Sequence, residues 1–175
     1  MKTLGFLSFL LFSVLSANAQ TINAEKSHVK FSIPGLGKKT VEGVFTGMSG
    51  NISFSVHNIA NASFNVCVNP ATVNTEKEKR DKHLRNEDFF FVEKFSEICF
   101  VSTSVSKTPN GYIAKGKLTI LGVTKEVEIP FTFEKNTFIG KIEVNRFDYG
   151  LAAESYKKTR MVGAIASVEI VCVVE

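Results

Sequence analysis

Apolar and polar side chains alternate along most of the chain after residue 19. Between residues 127 and 133, for example, Val127, Ile129, Phe131 and Phe133 alternate with mostly polar or charged residues. Such alternation places one face of an extended strand in an apolar interior and the other face in water. The pattern predicts eight or nine strands, near residues 27–33, 39–47, 50–57, 61–69, 96–105, 112–121, 124–134, 137–145 and 164–174.

Turn sequences separate several of these strands. Residues 48–51 (MSGN), 109–111 (PNG) and 121–123 (LGV) all suit tight connections between antiparallel neighbours. Many short strands joined in this way, with one apolar face throughout, predict an all-β fold: an antiparallel up-and-down β-barrel of about eight strands. A barrel of that size is wide enough to be filled by side chains or to hold one small ligand.

One helical insertion interrupts the strands. Thr75 and Glu78 have the spacing of a capping box, and residues 76–85 are mostly good helix formers without alternation. Three consecutive phenylalanines, Phe89, Phe90 and Phe91, follow on a short connection. Three adjacent aromatic rings are too apolar to lie entirely in water, so we expect one or two of them to plug one end of the barrel.

The N-terminus has the features of a secretory signal peptide. Lys2 precedes an apolar run over residues 4–15, and Ala17, Asn18 and Ala19 match the small-x-small pattern that signal peptidase cleaves. The run is too short to span a bilayer core of roughly 30 Å as a helix. The sequence therefore predicts a signal peptide at residues 1–19, a single domain at residues 20–175, and a periplasmic or secreted protein.

The charge balance of residues 20–175 argues against nucleic acid as a partner. Twenty basic and 17 acidic residues are scattered along this part of the chain, without a basic stripe. Lys157, Lys158 and Arg160 form the densest basic group. We interpret that group as a solvated loop, with transient contact to an anionic membrane surface as the alternative.

Six motifs stand out along the chain: Asn74-Thr75, Arg80-Asp81-x-His83-Leu84, Phe89-Phe90, Ile98-x-Phe100-x-Ser102, the stretch from Gly116 to Lys125, and the stretch from Asn145 to Gly150. They resemble the motifs of the YceI-like family of bacterial lipid- and polyisoprenoid-binding proteins. The resemblance covers the chain from about Ser27 to the C-terminus, with the motifs in the family's order. The chain departs from the family at Pro34, Gly35, Leu36 and Gly37, where a histidine is common, and at Ser55, where aspartate is usual.

The resemblance implies a lipocalin-like antiparallel barrel that encloses a long isoprenoid or a similar amphiphile, such as a polyprenyl phosphate or a quinone. Thirteen of the sixteen phenylalanines follow residue 19 and suit an apolar lining. The resemblance places Arg80, His83 and Arg146 at a polar mouth, where they would contact the head group. The predicted apolar lining consists of Phe31, Phe45, Phe64, Phe89, Phe90, Phe100, Phe131 and Phe133.

Two simpler interpretations of the same residues remain open. The phenylalanines can fill a dry core, in which case the barrel would be a protein-interaction or stress-related module. Arg80, Asp81 and His83 can form a local set of ion pairs and hydrogen bonds that ties the helix to the barrel. An elongated cavity lined by the phenylalanines would favour lipid binding, and a packed interior would favour the interaction module.

The three cysteines permit one disulfide. Alternation puts Cys67 and Cys99 on outward faces of strands that are successive apart from the helical insertion, so a Cys67–Cys99 bridge is geometrically feasible in an oxidising compartment. Three free thiols are the alternative. Cys172 is in phase with apolar neighbours and is interpreted as a small buried hydrophobe.

Motifs for catalysis or metal binding are missing from the sequence. It contains no Gly-x-Ser-x-Gly, no His-Glu-x-x-His and no glycine-rich phosphate loop. His28, His57 and His83 stand singly at wide spacing, which argues against a zinc site. We therefore expect no enzyme activity, no metal and no cofactor other than a bound lipid, and we leave the oligomeric state open. An enzyme acting on a lipid would require ionisable groups clustered inside the cavity.

Overall fold

The computed structural model describes residues 19–35, 39–152 and 162–175. The predicted signal peptide lies outside the described residues apart from Ala19, as do Leu36, Gly37 and the basic group at residues 157–160. The described part forms nine strands and one α-helix, and each strand lies within a few residues of its predicted range. The strands are β1 (His28–Pro34), β2 (Thr40–Phe45), β3 (Ser49–Ser53), β4 (Ser63–Val68), β5 (Ile98–Thr108), β6 (Gly111–Ile120), β7 (Val123–Glu134), β8 (Thr137–Asn145) and β9 (Ile165–Val173), and the helix is α1 (Glu78–Arg85).

All nine strands belong to one antiparallel sheet, in the order β2-β1-β9-β8-β7-β6-β5-β4-β3. Strands that are consecutive in the sequence are therefore neighbours in the sheet, except for β2 and β3, which do not pair. The first strand, β1, also pairs with the last, β9. His28 of β1 faces Val171 of β9, which joins the beginning of the fold to its end. This topology confirms the predicted antiparallel up-and-down architecture.

The segment 40–53 links the two edges of the sheet. The antiparallel order gives β2 and β3 the same direction, and only residues 46–48 separate them. The segment therefore behaves as one bent strand, whose first half pairs with β1 and whose second half pairs with β4. Because β2 and β3 together occupy one strand position, the nine strands form a barrel with eight strand positions around its circumference.

The turn predicted at residues 48–51 is wrong. Ser49, Gly50 and Asn51 lie inside β3 and pair with β4. Gly50 has a φ of 126°, and a Cβ there would lie 2.0 Å from the carbonyl oxygen of Asn65. Glycine at this position thus permits close approach of the two strands rather than a reversal of the chain.

The other two predicted turns are confirmed as two-residue hairpin loops. Pro109 and Asn110 connect β5 to β6, and Leu121 and Gly122, both with positive φ, connect β6 to β7. A third such loop, at Lys135 and Asn136, joins β7 to β8 with φ of 47° and 60°. The predicted strand ranges 124–134 and 137–145 leave these two residues as the connection, although they contain no glycine to indicate a turn.

Residues 69–97, here called the cap, connect β4 to β5 across one end of the barrel. The predicted capping box is wrong, because Lys77 is the N-cap of α1 and no side chain caps this end. Asn74 forms a β-bridge with Val44, and Glu76 has a φ of 60°. Thr75 is thus held against β2, and the helix starts only after the chain has turned. No helix among residues 19–35, 39–152 and 162–175 is long and apolar enough to cross a membrane.

Candidate functional site

The interior of the barrel contains a cavity of about 690 Å³. That volume lies within the range of about 300–1,000 Å³ that is typical of small-molecule sites. Seven of the eight predicted apolar lining residues border it: Phe31, Phe45, Phe64, Phe89, Phe90, Phe100 and Phe131. The interior is therefore not a fully packed core.

Phe133 lies outside the cavity wall. Its ring packs behind the wall, with its centroid 4.4 Å from that of Phe138 and 5.0 Å from that of Phe54. Alternation correctly places Phe133 on the inward face of β7, in phase with Phe131. It does not give depth along the barrel axis, and Phe133 lies beyond the point where the cavity ends.

An aromatic floor closes the cavity at the end opposite the cap. The rings of Phe64, Phe131 and Phe138 lie in mutual contact, with centroid separations of 5.4, 5.4 and 5.9 Å. Phe54 lies behind these three rings at 5.2–6.2 Å from each. Sequence reasoning missed Phe138, although it follows the lysine–asparagine turn and faces inward on β8.

Aromatic side chains also connect the barrel wall to the cap. The Phe45 ring lies 5.3 Å from Phe31 and 5.2 Å, edge to face, from Phe90. Phe89 and Phe90 of the cap both border the cavity, whereas Phe91 packs against Phe95 outside it. Two of the three consecutive phenylalanines therefore cover the interior, as the sequence predicted.

The polar side chains at the cavity border are all basic. They are Lys77, Lys79, Arg80, His83 and Arg146, and no carboxylate borders the cavity among the residues that the structure describes. The predicted mouth residues Arg80, His83 and Arg146 thus border the same space. Lys77 and Lys79 escaped prediction because they alternate with Glu76 and Glu78, which gives the segment the look of a solvated helix face.

Arg80 is held by hydrogen bonds to Thr75. Its Nε donates to the Thr75 hydroxyl at 2.7 Å and its Nη2 to the Thr75 carbonyl at 2.7 Å. The buried Asp81 carboxylate accepts from the amide of Thr75 at 2.9 Å and from its hydroxyl. The local network that the sequence suggested therefore runs through Thr75 and fixes Arg80 beside the cavity.

His83 lies on the same side of α1 as Arg80. Its ring centroid is 5.0 Å from that of Phe89, and its Nε2 atom is 3.9 Å from the Asp88 carboxylate. These contacts orient the imidazole between the helix and the phenylalanine-rich segment that covers the cavity.

Arg146 is a buried cation whose hydrogen-bond partners among the described residues are all neutral. It follows β8 and is 7% exposed. Its guanidinium donates to the carbonyls of Gly163 at 2.8 Å, Leu151 at 3.1 Å and Val162 at 3.3 Å, and it stacks on Phe147. Within the described ranges no carboxylate lies within 4.0 Å of it. Burial lowers the pKa of Arg146, since desolvation disfavours the charged form.

Cys67 and Cys99 form a disulfide in the structure. The two residues face each other on β4 and β5, so the bridge closes the base of the loop that contains the whole cap. The Glu97 carboxylate lies close to these two sulfurs, and the three groups together have the spacing of metal ligands. The two sulfurs are bonded to each other, however, and are not thiolates that could bind a metal ion. Cys172 is a free, buried cysteine that borders the cavity beside Phe138, its partner on β8.

Comparison with known proteins places the chain in a family. The model of the YceI-like domain matches residues 20–174. A UPF0312 protein of Shewanella sp. (strain MR-4) is 35% identical over 181 residues, which cover 96% of this chain and 92% of the relative.

Two solved structures share the fold. BcnA of Burkholderia cenocepacia has a TM-score of 0.80 at 23% identity, covering 87% of this chain and 98% of BcnA. A polyisoprenoid binding domain from Saccharophagus degradans has a TM-score of 0.67 at 16% identity, covering 90% and 98%. At these identities both likenesses concern the fold alone. The family model and the Shewanella relative establish that this chain belongs to the YceI-like domain family.

Proposed function

We propose that this protein binds a long-chain amphiphilic lipid, with an isoprenoid tail inside the barrel and an anionic head group at the cap. One observation carries the proposal: a cavity of about 690 Å³ whose described border is apolar except for five side chains, all of them basic. An apolar tail matches the apolar part of that border, and an anionic head group matches the basic side chains.

The tail is favoured by the apolar wall. Transfer of one methylene group from water to an apolar environment contributes roughly 0.8 kcal/mol, so a long hydrocarbon chain gains affinity without directional contacts. The wall is rich in phenylalanine and β-branched residues, which pack well against flat, methyl-bearing isoprene units. The name of the Saccharophagus neighbour, a polyisoprenoid binding domain, supports the same class of ligand.

The head group is favoured by the basic side chains. The buried guanidinium of Arg146 has only neutral partners among the residues that the structure describes, and such burial is costly when no counter-ion offsets the desolvation of the charge. A phosphate beside Arg146 or Arg80 would supply that counter-ion through charge-assisted hydrogen bonds. A quinone oxygen would accept a hydrogen bond but would leave the positive charge uncompensated.

The proposed compartment is the periplasm. The signal peptide predicted at residues 1–19 would direct the chain across the inner membrane. The Cys67–Cys99 disulfide suits an oxidising compartment of this kind. Binding, carriage or storage of the lipid is the proposed role, and catalysis is not part of it.

Native mass spectrometry of the protein purified from a periplasm tests the proposal. We expect a stoichiometric bound mass that solvent extraction identifies as a prenyl lipid. In competition, a prenyl phosphate should displace it more effectively than the prenyl alcohol of equal length, because only the phosphate pairs with the basic side chains. A ligand-free mass that does not change after addition of prenyl phosphates, prenyl alcohols or quinones would contradict the proposal.

A further inference from the structure

We propose that the aromatic floor formed by Phe64, Phe131 and Phe138 sets the maximum length of the lipid tail, and that Phe138 is the residue that controls it. This inference rests on the proposed function and adds a specificity determinant to it. A tail that enters beneath the cap can extend only until it meets these three rings.

The register of the sheet places the floor at one end of the barrel. Phe64 is near the start of β4, Phe131 is near the end of β7, and Phe138 is near the start of β8, all of which lie at the end opposite the cap. The cap, with four of the basic side chains, lies where β4 ends and β5 begins, and Arg146 follows the end of β8 at the same end of the barrel. The cavity therefore runs from charged groups at one end to a closed aromatic wall at the other.

The floor is a packed layer rather than a gate. Its three rings are 5–9% exposed, and their centroid separations of 5.4–5.9 Å are those of rings in direct contact. Phe54 closes the space behind them, and Tyr112 stacks on Phe131 at 5.3 Å. Because Phe54 and Tyr112 pack against the side of these rings that faces away from the cavity, a longer tail has no free space into which to push them.

Phe138 has the central place in this layer. Its ring contacts Phe64, Phe131, Phe54 and Phe133 at centroid distances of 4.4–5.9 Å. It borders the cavity, whereas Phe54 and Phe133 lie behind it. Shortening Phe138 would therefore join the cavity to the space that its ring occupies and deepen it along the barrel axis.

The test measures how affinity depends on tail length. Wild-type protein and the variants Phe138→Leu and Phe138→Ala are titrated with farnesyl, geranylgeranyl and longer polyprenyl monophosphates. We expect wild-type affinity to rise with length and then to level off or fall. In the variants, that optimum should move by at least one isoprene unit, with roughly tenfold tighter binding of the first tail that exceeds the wild-type limit.

Phe133→Leu is the matched control. It removes a ring from the same aromatic cluster, but one that does not border the cavity. It should lower stability by an amount similar to that for Phe138→Leu and leave the length profile unchanged. The leucine variant of Phe138 keeps the test informative where Phe138→Ala unfolds.

Two outcomes would contradict this inference, and they differ in what they imply for the proposed function. A wild-type protein that binds some of the series, with identical length profiles for wild type, Phe138→Leu and Phe133→Leu, would overturn the role of the floor and leave the proposed function standing. A folded wild-type protein that binds no member of the series would overturn the proposed function and this inference together.

Discussion

The two ends of the barrel are built on opposite physical principles. At the floor, phenylalanine rings pack against one another and the thiol of Cys172 is buried beside them. At the opposite end, four basic side chains of the cap and Arg146 border the same cavity, and hydrogen bonds to Thr75 and to backbone carbonyls hold the two arginines in place. One cavity thus has an apolar end and a charged end.

This difference shows how a single barrel can orient an amphiphile. The floor contributes to folding through packing that does not depend on a ligand. At the other end, Arg146 is buried at a cost in desolvation, which a suitable anion would offset. We therefore expect substitutions at the floor to affect mainly stability and tail length, and substitutions at the cap to affect mainly head-group selection.

The largest effect is expected at the floor. Phe54 is 8% exposed and packs against five other rings, so Phe54→Ala should lower the free energy of unfolding by about 3–5 kcal/mol through cavity formation. Phe91→Ala in the cap, where the ring is half-buried, should lower it by only about 1 kcal/mol. Urea unfolding of the three proteins measures both values. Equal losses would show that the two ends do not differ in packing.

The second effect concerns the tie between the cap and the barrel. The Cys67–Cys99 bridge spans a sequence separation of 32 residues. Replacing both cysteines with serine should lower the free energy of unfolding by about 3–4 kcal/mol, because the unfolded chain gains the entropy of the opened loop. Denaturant unfolding of wild type with and without reductant provides the control. Reduced wild type that is as stable as the oxidised form would show that the bridge contributes nothing.

The third effect tests whether the floor is dry. Burial raises the pKa of Cys172 from 9.0 to about 11, while a hydrogen bond with Ser27 acts weakly in the opposite direction. Below pH 9 the thiol is protonated in both states, and between pH 9 and about 11 only the unfolded chain loses the proton. Wild type should therefore lose about 2–3 kcal/mol of stability over that interval in addition to any loss shared with Cys172→Val.

Anaerobic urea unfolding of both proteins at a series of pH values measures this difference. The stability difference between wild type and Cys172→Val should be constant below pH 9 and then shift against wild type. Parallel curves up to pH 11 would mean that the thiol ionises as easily in the folded barrel as in the unfolded chain. The floor would then be accessible to water.

The sequence predicted the strands well because their signal is local. Alternation such as that of Ile129 and Phe131 gives both the strand and its inward face, and the structure has all nine predicted strands. The turn at residues 48–51 failed for a non-local reason: Gly50 serves the approach of β4, which is distant in sequence. The capping box failed similarly, because Thr75 is held by its contacts with Asp81 and by the pairing of Asn74 with β2.

The cavity was less predictable than the fold. Alternation gave the same orientation to Phe131 and Phe133, but only Phe131 borders the cavity. How far the cavity extends along the barrel axis depends on strand register and on rings from four different strands or loops. A local sequence pattern contains no information about either. Lys77 and Lys79 were missed because a charged helix surface has the same sequence pattern as a set of cavity-facing cations.

The pairing of β1 with β9 has a consequence for the order in which the protein can be made. His28 of β1 pairs with Val171 of β9, which is 143 residues later in the sequence. Before β9 is available for pairing, β1 and β8 both have an edge without a neighbour. Contacts of such long sequence separation form slowly, because loop-closure entropy is lost before they form. The barrel therefore cannot be completed from its N-terminal half, and the edges of β1 and β8 stay unpaired until β9 joins them.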